Sequence, residues 1–475
     1  MPDTSALLEL QRLLGPKGFT NDPDVMAPWL TDWRGRFTGN AAALLSPANT
    51  AEVAGTITIA ANHRVALVPQ GGNSGMVAGA TPDTSGNQLI LSLRRMNRIE
   101  AIDADSGLIR CEAGVILQNL HDAVAEKGRR FPLTLGGKGS ATIGGLISTN
   151  AGGTQVLRHG TMRQLVSGLE AVLPDGSVFD GMTPLKKDNR GYDLKHLLIG
   201  AEGTIGVVTA AVLQTAPALI DRCVVWVGLD SPDAAYRLLL FMQERARNRL
   251  EGFEILPHRA LDAVLRHIDG TRTPLDSNHQ WHALMELVQD DPAQSSPADL
   301  ATTLLTDAIQ AGLANDAVLA TSETQAQAFW KIRDSIAEAE RAAGPALQHD
   351  ISVPVADMAR FISDESPVIE SRYTGTKIVA FGHLGDGNIH FHVKAPDGIN
   401  IADWYAGDGK AITSHIYDRV HDYGGSLSAE HGIGQAKIDE FARLADPARM
   451  MALRAIKTAF DPYGIMNPGK LVPLA

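Results

Sequence analysis

Four histidines and one glutamate carry the chemistry most readily read from this chain. The stretch Phe381 to Val393, FGHLGDGNIHFHV, contains His383, His390 and His392. Asp386-Gly387 is a strong turn signal, because a two-residue type I′ turn needs positive φ at both centres. A turn centred there predicts a hairpin in which Gly385 faces Asn388, Leu384 faces Ile389 and His383 faces His390. Opposed residues share a face with Cβ atoms about 4.5–5.5 Å apart, and His392 joins that face because strand side chains alternate. A lone strand histidine is usually a packing or surface residue, and a single H-x6-H pair is not specific. A second cluster, Ser428-Ala429-Glu430-His431-Gly432-Ile433-Gly434, adds a carboxylate and a fourth imidazole among glycines. Two His and one Glu with a coordination position left open suit zinc or a similar divalent ion. His383, His390 and Glu430 are therefore the expected ligands, with His392 an extra contact. An all-thiolate site is excluded, since the only cysteines are Cys111 and Cys223.

The chain that holds these residues is too long, at 475 residues, for one ordinary core. Its 44% hydrophobic and 20% charged residues fit a globular protein. A formal net charge of −12 argues against a nucleic-acid partner, because phosphate binding needs basic patches. No apolar run of about 18 residues occurs, so no transmembrane helix is expected. Met1 to Gly15 lacks the basic and apolar regions of a secretory signal. Leu7, Leu10 and Leu14 recur instead at helical spacing behind the capping candidates Asp3, Thr4 and Ser5. Two distant cysteines imply no disulfide framework, and cytoplasm is the default compartment.

Up to residue 217 the texture is glycine-rich and strand-rich. Ala42 to Ser46 reads as a strand, Thr50 to Ala61 as a helix with Val53, Ile57 and Ala60 on one face, and Val65 to Val68 as a strand, together a βαβ unit. It runs into Pro69-Gln70-Gly71-Gly72-Asn73-Ser74-Gly75-Met76. Successive amides there could bind phosphate oxygens, because glycine allows close approach; a plain turn is the competing reading. No G-x-G-x-x-G opens a helix, so this is not a Rossmann fingerprint. A second block, Leu135-Gly136-Gly137-Lys138-Gly139-Ser140-Ala141-Thr142-Ile143-Gly144-Gly145, continues to Asn150-Ala151-Gly152-Gly153. A third is Ile199-Gly200-Ala201-Glu202-Gly203-Thr204-Ile205-Gly206-Val207-Val208-Thr209. Glycine costs backbone entropy on folding, so three such blocks suggest backbone laid against an extended dinucleotide. Interspersed Ile, Leu and Val oppose the alternative of a low-complexity linker.

From Cys223 onward strands and helices alternate: Val224 to Leu229, Asp233 to Asn248, Gly252 to Leu256, Trp281 to Val288 and Leu300 to Ala311. This predicts an α+β domain with an antiparallel sheet. Gln325 to Ala343 is expected as one helix with Trp330, Arg333 and Ala337 on one face. Arg333 beside a Trp could snorkel at the surface or clamp a substrate carboxylate. Gln348 to Val353 reads as a strand.

Taken in order, these motifs resemble a known family. The Pro69 to Gly75 loop, Gly139-Ser140, Gly144-Gly145, Asn150 to Gly153 and Lys187-Asp188-Asn189-Arg190-Gly191-Tyr192-Asp193-Leu194 leading to Glu202-Gly203-Thr204 resemble the vanillyl-alcohol oxidase (PCMH) type of FAD domain. The histidine hairpin, Glu430-His431-Gly432 and Asn467-Pro468-Gly469-Lys470 resemble its FAD-linked 2-hydroxy acid dehydrogenase branch. Phe131 to Gly136 and Leu91 to Arg98 look nearer the D-2-hydroxyglutarate than the D-lactate dehydrogenases of that branch. The resemblance implies an α+β architecture: an FAD-binding domain of two subdomains (1–217), a substrate and metal cap with an antiparallel sheet (218–425) and a C-terminal return (426–475). It implies FAD contacts from Pro69 to Met76, from Leu135, Gly136, Gly139, Ser140, Thr142, Ile143, Gly145, Asn150 and Gly152, and from Glu202, Gly203, Ile205, Val207, Val208 and Asn467. The pyrophosphate loop holds no His or Cys, so the flavin is expected to be non-covalent. Relatives using dicarboxylates commonly carry Thr, Lys and Asn where this chain has Ala337, Gln348 and His392.

The leading reading is an FAD- and metal-dependent dehydrogenase of a D-2-hydroxy acid, D-2-hydroxyglutarate foremost, with D-lactate or D-malate as alternatives. Arg333 would pair with the substrate carboxylate, with His383, His390, His392, Glu430 and His431 around the substrate and His431 as general base. A role for His431 as a fourth metal ligand, or as a group that orients a ligand, stays open. A flavin reductase of the same fold and a non-catalytic flavin- or metal-binding protein are the readings from other classes. The electron acceptor is left between an electron-transfer flavoprotein and the quinone pool, and a homodimer is admitted.

Overall fold

The structure, a computed structural model, describes residues 3–473. It divides into two compact units. The first comprises Met1–Gly153, His159–Ala218 and Glu430–Ala475, and the second Thr154–Arg158 and Leu219–Ala429.

In the first unit the expected βαβ element is present. Strand β1 (Ala41–Leu45), helix α1 (Thr50–His63) and strand β2 (Leu67–Gln70) enclose a third strand, β3 (Gln88–Ser92), which pairs parallel with both. Asn49 caps α1 by accepting the Glu52 amide, and Val53, Ile57 and Ala60 are buried, as their spacing predicted. A second sheet of five antiparallel strands is built on Val207–Gln214, which lies between Leu108–Glu112 and Val166–Val172. The C-terminal return closes onto β2: the Leu67 amide donates to Ile465 O at 2.7 Å and the Asn467 amide to Leu67 O at 2.8 Å. Buried Lys457 fastens this return, donating to Thr204 O and Met466 O, each at 2.7 Å, and to Asp461.

The second unit centres on a seven-stranded antiparallel sheet. Its strands are β4 (Asp221–Leu229), β5 (Leu250–Pro257), β6 (Trp281–Gln289), β7 (Asp316–Leu319), β8 (Ala346–Ser352), β9 (Lys377–His383) and β10 (Asn388–Lys394), in the order β7-β4-β6-β5-β9-β10-β8. The 325–343 region is not one helix. It breaks at Ser335 (φ −86°, ψ −1°) into α2 (Glu323–Asp334) and α3 (Ile336–Ala342), so Ala337 sits on a different helix from Trp330 and Arg333. A hydrogen bond from Trp330 Nε1 to Glu286 and an ion pair from Arg333 Nε to Glu254 fix α2 on the sheet.

The hairpin register also differs from expectation. His383 opposes Asn388, and His390 opposes Phe381. The connection is the four-residue loop Leu384–Gly387, in which only Gly387 (φ +82°) has positive φ. A tertiary contact overrides the local turn preference, the Val353 amide donating to Gly387 O at 3.1 Å, and within the loop Asp386 Oδ1 accepts the Asn388 amide at 3.0 Å. The slip is by two residues, an even number, so the histidines keep their shared face.

Candidate functional site

Register on the second sheet explains how the histidines are held. β5 pairs with β9 so that Glu254 lies opposite His383, and β8 pairs with β10 so that Asp350 lies opposite His390 and Gln348 opposite His392. His383 Nδ1–H donates to Glu254 Oε1 at 2.5 Å, which leaves its Nε2 with the lone pair. That Nε2 accepts from an Arg333 Nη at 3.2 Å. Burial alone would raise the Glu254 carboxyl, but Arg333 and His383 outweigh it and hold the group at about 2. Burial, reinforced by the Arg333 cation, pushes His390 well below its usual value, so its imidazole is neutral at pH 7. The His383 and His390 rings lie 5.6 Å apart at 76°, and Asp350 Oδ1 is 3.8 Å from His390 Nδ1. His392 Nδ1 is held by the buried Glu340 carboxylate, and its ring sits 5.1 Å from Phe381.

This donor set fits a divalent cation. Neutral imidazoles whose far nitrogen donates to a carboxylate are the usual metal-binding form, with ring orientation and basicity set by that second group. The chain leading to Glu430 is anchored on the same sheet. Ser426 bridges Ser352 with amide–carbonyl bonds of 2.9 and 2.8 Å, and the Ala429 amide approaches Asp350 O at 3.4 Å. Glu430 and His431 follow directly, both half-buried.

The glycine blocks of the first unit come together through backbone. A Cβ added at Gly72 would lie 1.7 Å from Ser140 O, and one at Gly71 2.3 Å from Thr142 Oγ1. Only glycine therefore lets the loop from Gln70 to Met76 rest on the segment from Gly139 to Gly145. Asn73 takes φ +50°, and its Nδ2 donates to Thr31 O at 2.8 Å. Pro69 packs on Gly203. At Gly75, Gly136 and Gly139 an added Cβ would meet no protein atom within 4 Å, so internal packing does not call for glycine there. Two buried oxygens nearby, Gln70 Oε1 and Asn467 Oδ1, have no partner among the described residues. Backbone open on one side, beside unpartnered buried acceptors, fits a large polar cofactor such as FAD. Thr142 precedes the short helix Ile143–Ser148, and Asn150 Oδ1 accepts the Arg163 amide at 3.0 Å. Leu135, Ser140, Gly145, Gly152, Ile205, Val207 and Val208 also lie in this unit.

Several residues of the site carry no motif: Glu254, Glu340, Asp350 and Lys457. Glu254 left one trace, a carboxylate inside the apolar strand Phe253-Glu254-Ile255-Leu256, where an acid needs a partner. Glu202 directs both carboxylate oxygens at the amides of Ile433 and Gly434, each at 2.8 Å.

Family models described as "FAD linked oxidases, C-terminal domain" and "FAD binding domain" match residues 220–471 and 41–181. The chain is 35% identical over 99% of its length to an Arabidopsis thaliana protein named D-2-hydroxyglutarate dehydrogenase, mitochondrial, covering 82% of that protein. It is 32% identical to the D-2-hydroxyglutarate dehydrogenase of Stutzerimonas stutzeri, with 99% of each chain covered. A Bos taurus protein of the same name, also called mitochondrial, is 35% identical over 98% of this chain and 83% of its own. Among solved structures, p-cresol methylhydroxylase with substrate bound superposes with a TM-score of 0.75 at 17% identity, covering 98% of this chain and 96% of that one. This likeness shows the PCMH-type fold. The chain belongs to the FAD-linked oxidases and is an FAD-dependent oxidoreductase, which sets aside a non-catalytic flavin binder. No helix among the described residues is long and apolar enough to cross a membrane. Relatives named as mitochondrial stand against cytoplasm as a strict assignment.

Proposed function

We propose that this FAD-linked oxidase oxidises a D-2-hydroxy acid, D-2-hydroxyglutarate foremost, to the 2-oxo acid. The observation that carries the reading is the pair His383 and His390, backed by Glu254 and Asp350, with Arg333 donating to the His383 lone pair.

His383 Nε2, His390 and Glu430 would hold a divalent ion, zinc foremost. Such an ion supplies Lewis-acid stabilisation of negative charge developing on the substrate's 2-hydroxyl oxygen. A cation taking the His383 lone pair leaves the Arg333 donor to pair with the substrate's C1 carboxylate. Glu254 keeps Arg333 and His383 in place throughout. His431 takes the hydroxyl proton as general base. Loops 69–76 and 135–152, together with Glu202 to Val208 and Asn467, would hold FAD without a covalent link; FAD supplies the acceptor for the C2 hydrogen and its electron pair. An electron-transfer flavoprotein or a quinone would then reoxidise the protein.

A shorter substrate, D-lactate or D-malate, is a second reading, favoured by the buried Glu340 carboxylate behind His392, which disfavours another anion beside it. The test is anaerobic mixing of the yellow protein with the D and L forms of 2-hydroxyglutarate, malate and lactate. Bleaching is expected with D acids, fastest with D-2-hydroxyglutarate. Bleaching by L acids alone, or by NADPH and no hydroxy acid, contradicts the reading and points to a flavin reductase.

A further inference from the structure

Glu202 is buried and stands at a turn with φ +50°. Its Oε1 accepts the Ile433 amide and its Oε2 the Gly434 amide, both at 2.8 Å. These are the second and third residues after His431. Gly432, between His431 and the clamp, has φ +81°, and a Cβ there would lie 2.8 Å from Glu202 Oε1. Gly434 is closed in on its other side, where a Cβ would meet Val77 O at 2.2 Å, and its carbonyl accepts the Leu471 amide at 3.1 Å. Glu202 is itself held: its amide donates to Ser148 O at 2.8 Å, and its carbonyl accepts Asn467 Nδ2 at 2.7 Å. A buried acid needs such donors, and two amides on one carboxylate make charge-assisted bonds stronger than neutral ones. Burial raises this carboxyl, the two amides oppose the rise, and Lys437 and Lys470 oppose it further.

We propose that Glu202 is a positioning residue for His431: by binding the Ile433 and Gly434 amides it fixes the backbone that carries the imidazole, and so the aim of that imidazole at the substrate hydroxyl. The proposal rests on His431 being the proton acceptor. Glu202 acts on His431 through the return segment.

A double-mutant cycle followed by anaerobic single-turnover flavin reduction tests it. Glu202→Gln turns one acceptor into a donor that faces an N–H. The variant is expected to keep its FAD, its metal content and its affinity for the D-2-hydroxy acid. It should reduce flavin slower by on the order of 10- to 100-fold, the cost of a displacement of about 1 Å. His431→Ala is expected to lose a factor on the order of 10²–10⁴ with FAD and metal retained. Adding Glu202→Gln to His431→Ala should cost nothing further, because residues acting as one unit are not additive. Gly432→Ala presses on the same contact from the other side and should behave like Glu202→Gln; it carries the cycle if Glu202→Gln fails to fold. An equal fractional loss in both backgrounds, a parent rate in Glu202→Gln, or activity lost in proportion to flavin overturns the proposal. A His431→Ala protein that bleaches at the parent rate defeats the base assignment itself, and that failure is read without any Glu202 variant.

Discussion

At Gly71 and Gly72 a side chain is a liability, whereas in the hairpin of β9 and β10 the side chains are the candidate site. The first is built by bringing backbone against backbone, Gly72 against Ser140 O. The second is built by sheet register, which sets an acid opposite each of His383 and His390. Adding one methyl group should disable the first, and deleting one imidazole the second. The two kinds of damage should separate: one costs flavin and the other metal.

The largest effect is expected at Gly72. Gly72→Val forces a side chain into Ser140 O, an overpacking that costs about 1–3 kcal/mol or more. Purified protein should be nearly free of flavin, read from its absorbance. Full flavin occupancy would break the comparison on the backbone side.

Next are His383→Ala and His390→Ala, which should retain FAD and lose bound metal by elemental analysis. Unchanged metal stoichiometry in both would remove the side-chain half of the account.

Glu254→Gln should be milder. It leaves the ligands but loosens the His383 imidazole, weakening metal affinity by roughly 10- to 100-fold, the usual effect of a lost outer-shell partner. Its pH signature is specific. The Glu254 carboxyl falls from an ordinary 4.5 to about 2 in the fold. It therefore stabilises the metal-free protein above pH about 4.5, and that stability fades as pH drops towards 2. Acid unfolding of the Glu254→Gln protein should be less steep over that window than unfolding of the parent, and identical curves would contradict the pairing.

The smallest effect is expected at Gly139, where a Cβ meets no protein atom within 4 Å. Gly139→Ala should leave apo-protein melting unchanged while weakening FAD. A lower apo melting temperature would show that packing, not cofactor approach, requires this glycine.

The same contrast governs what the sequence made legible. Spacing along one element survived: the burial of Val53, Ile57 and Ala60, the glycine blocks, and His390 and His392 on one face of β10. Register between elements did not. Asp386-Gly387 marked the turn, but Gly387 is held by Val353, just past the end of β8, and the loop is longer and the pairing moved by two. The face endured only because that shift is even. Helix periodicity ran through Ser335 without seeing the break, since nothing local marks where α2 is pinned by Glu254 and Glu286. Glu202, Glu340 and the bond of Lys457 to Thr204 were invisible because each joins residues distant in sequence. Their bonds depend on the fold being closed first.

Metal dependence of flavin reduction is the most direct test. The holoprotein, stripped of metal with a chelator and shown to keep its FAD, is mixed anaerobically with D-2-hydroxyglutarate, and flavin bleaching is timed before and after zinc is restored. The account predicts that reduction collapses on stripping and returns with zinc, with flavin content constant throughout. Bleaching at the same rate in stripped and restored protein would contradict it.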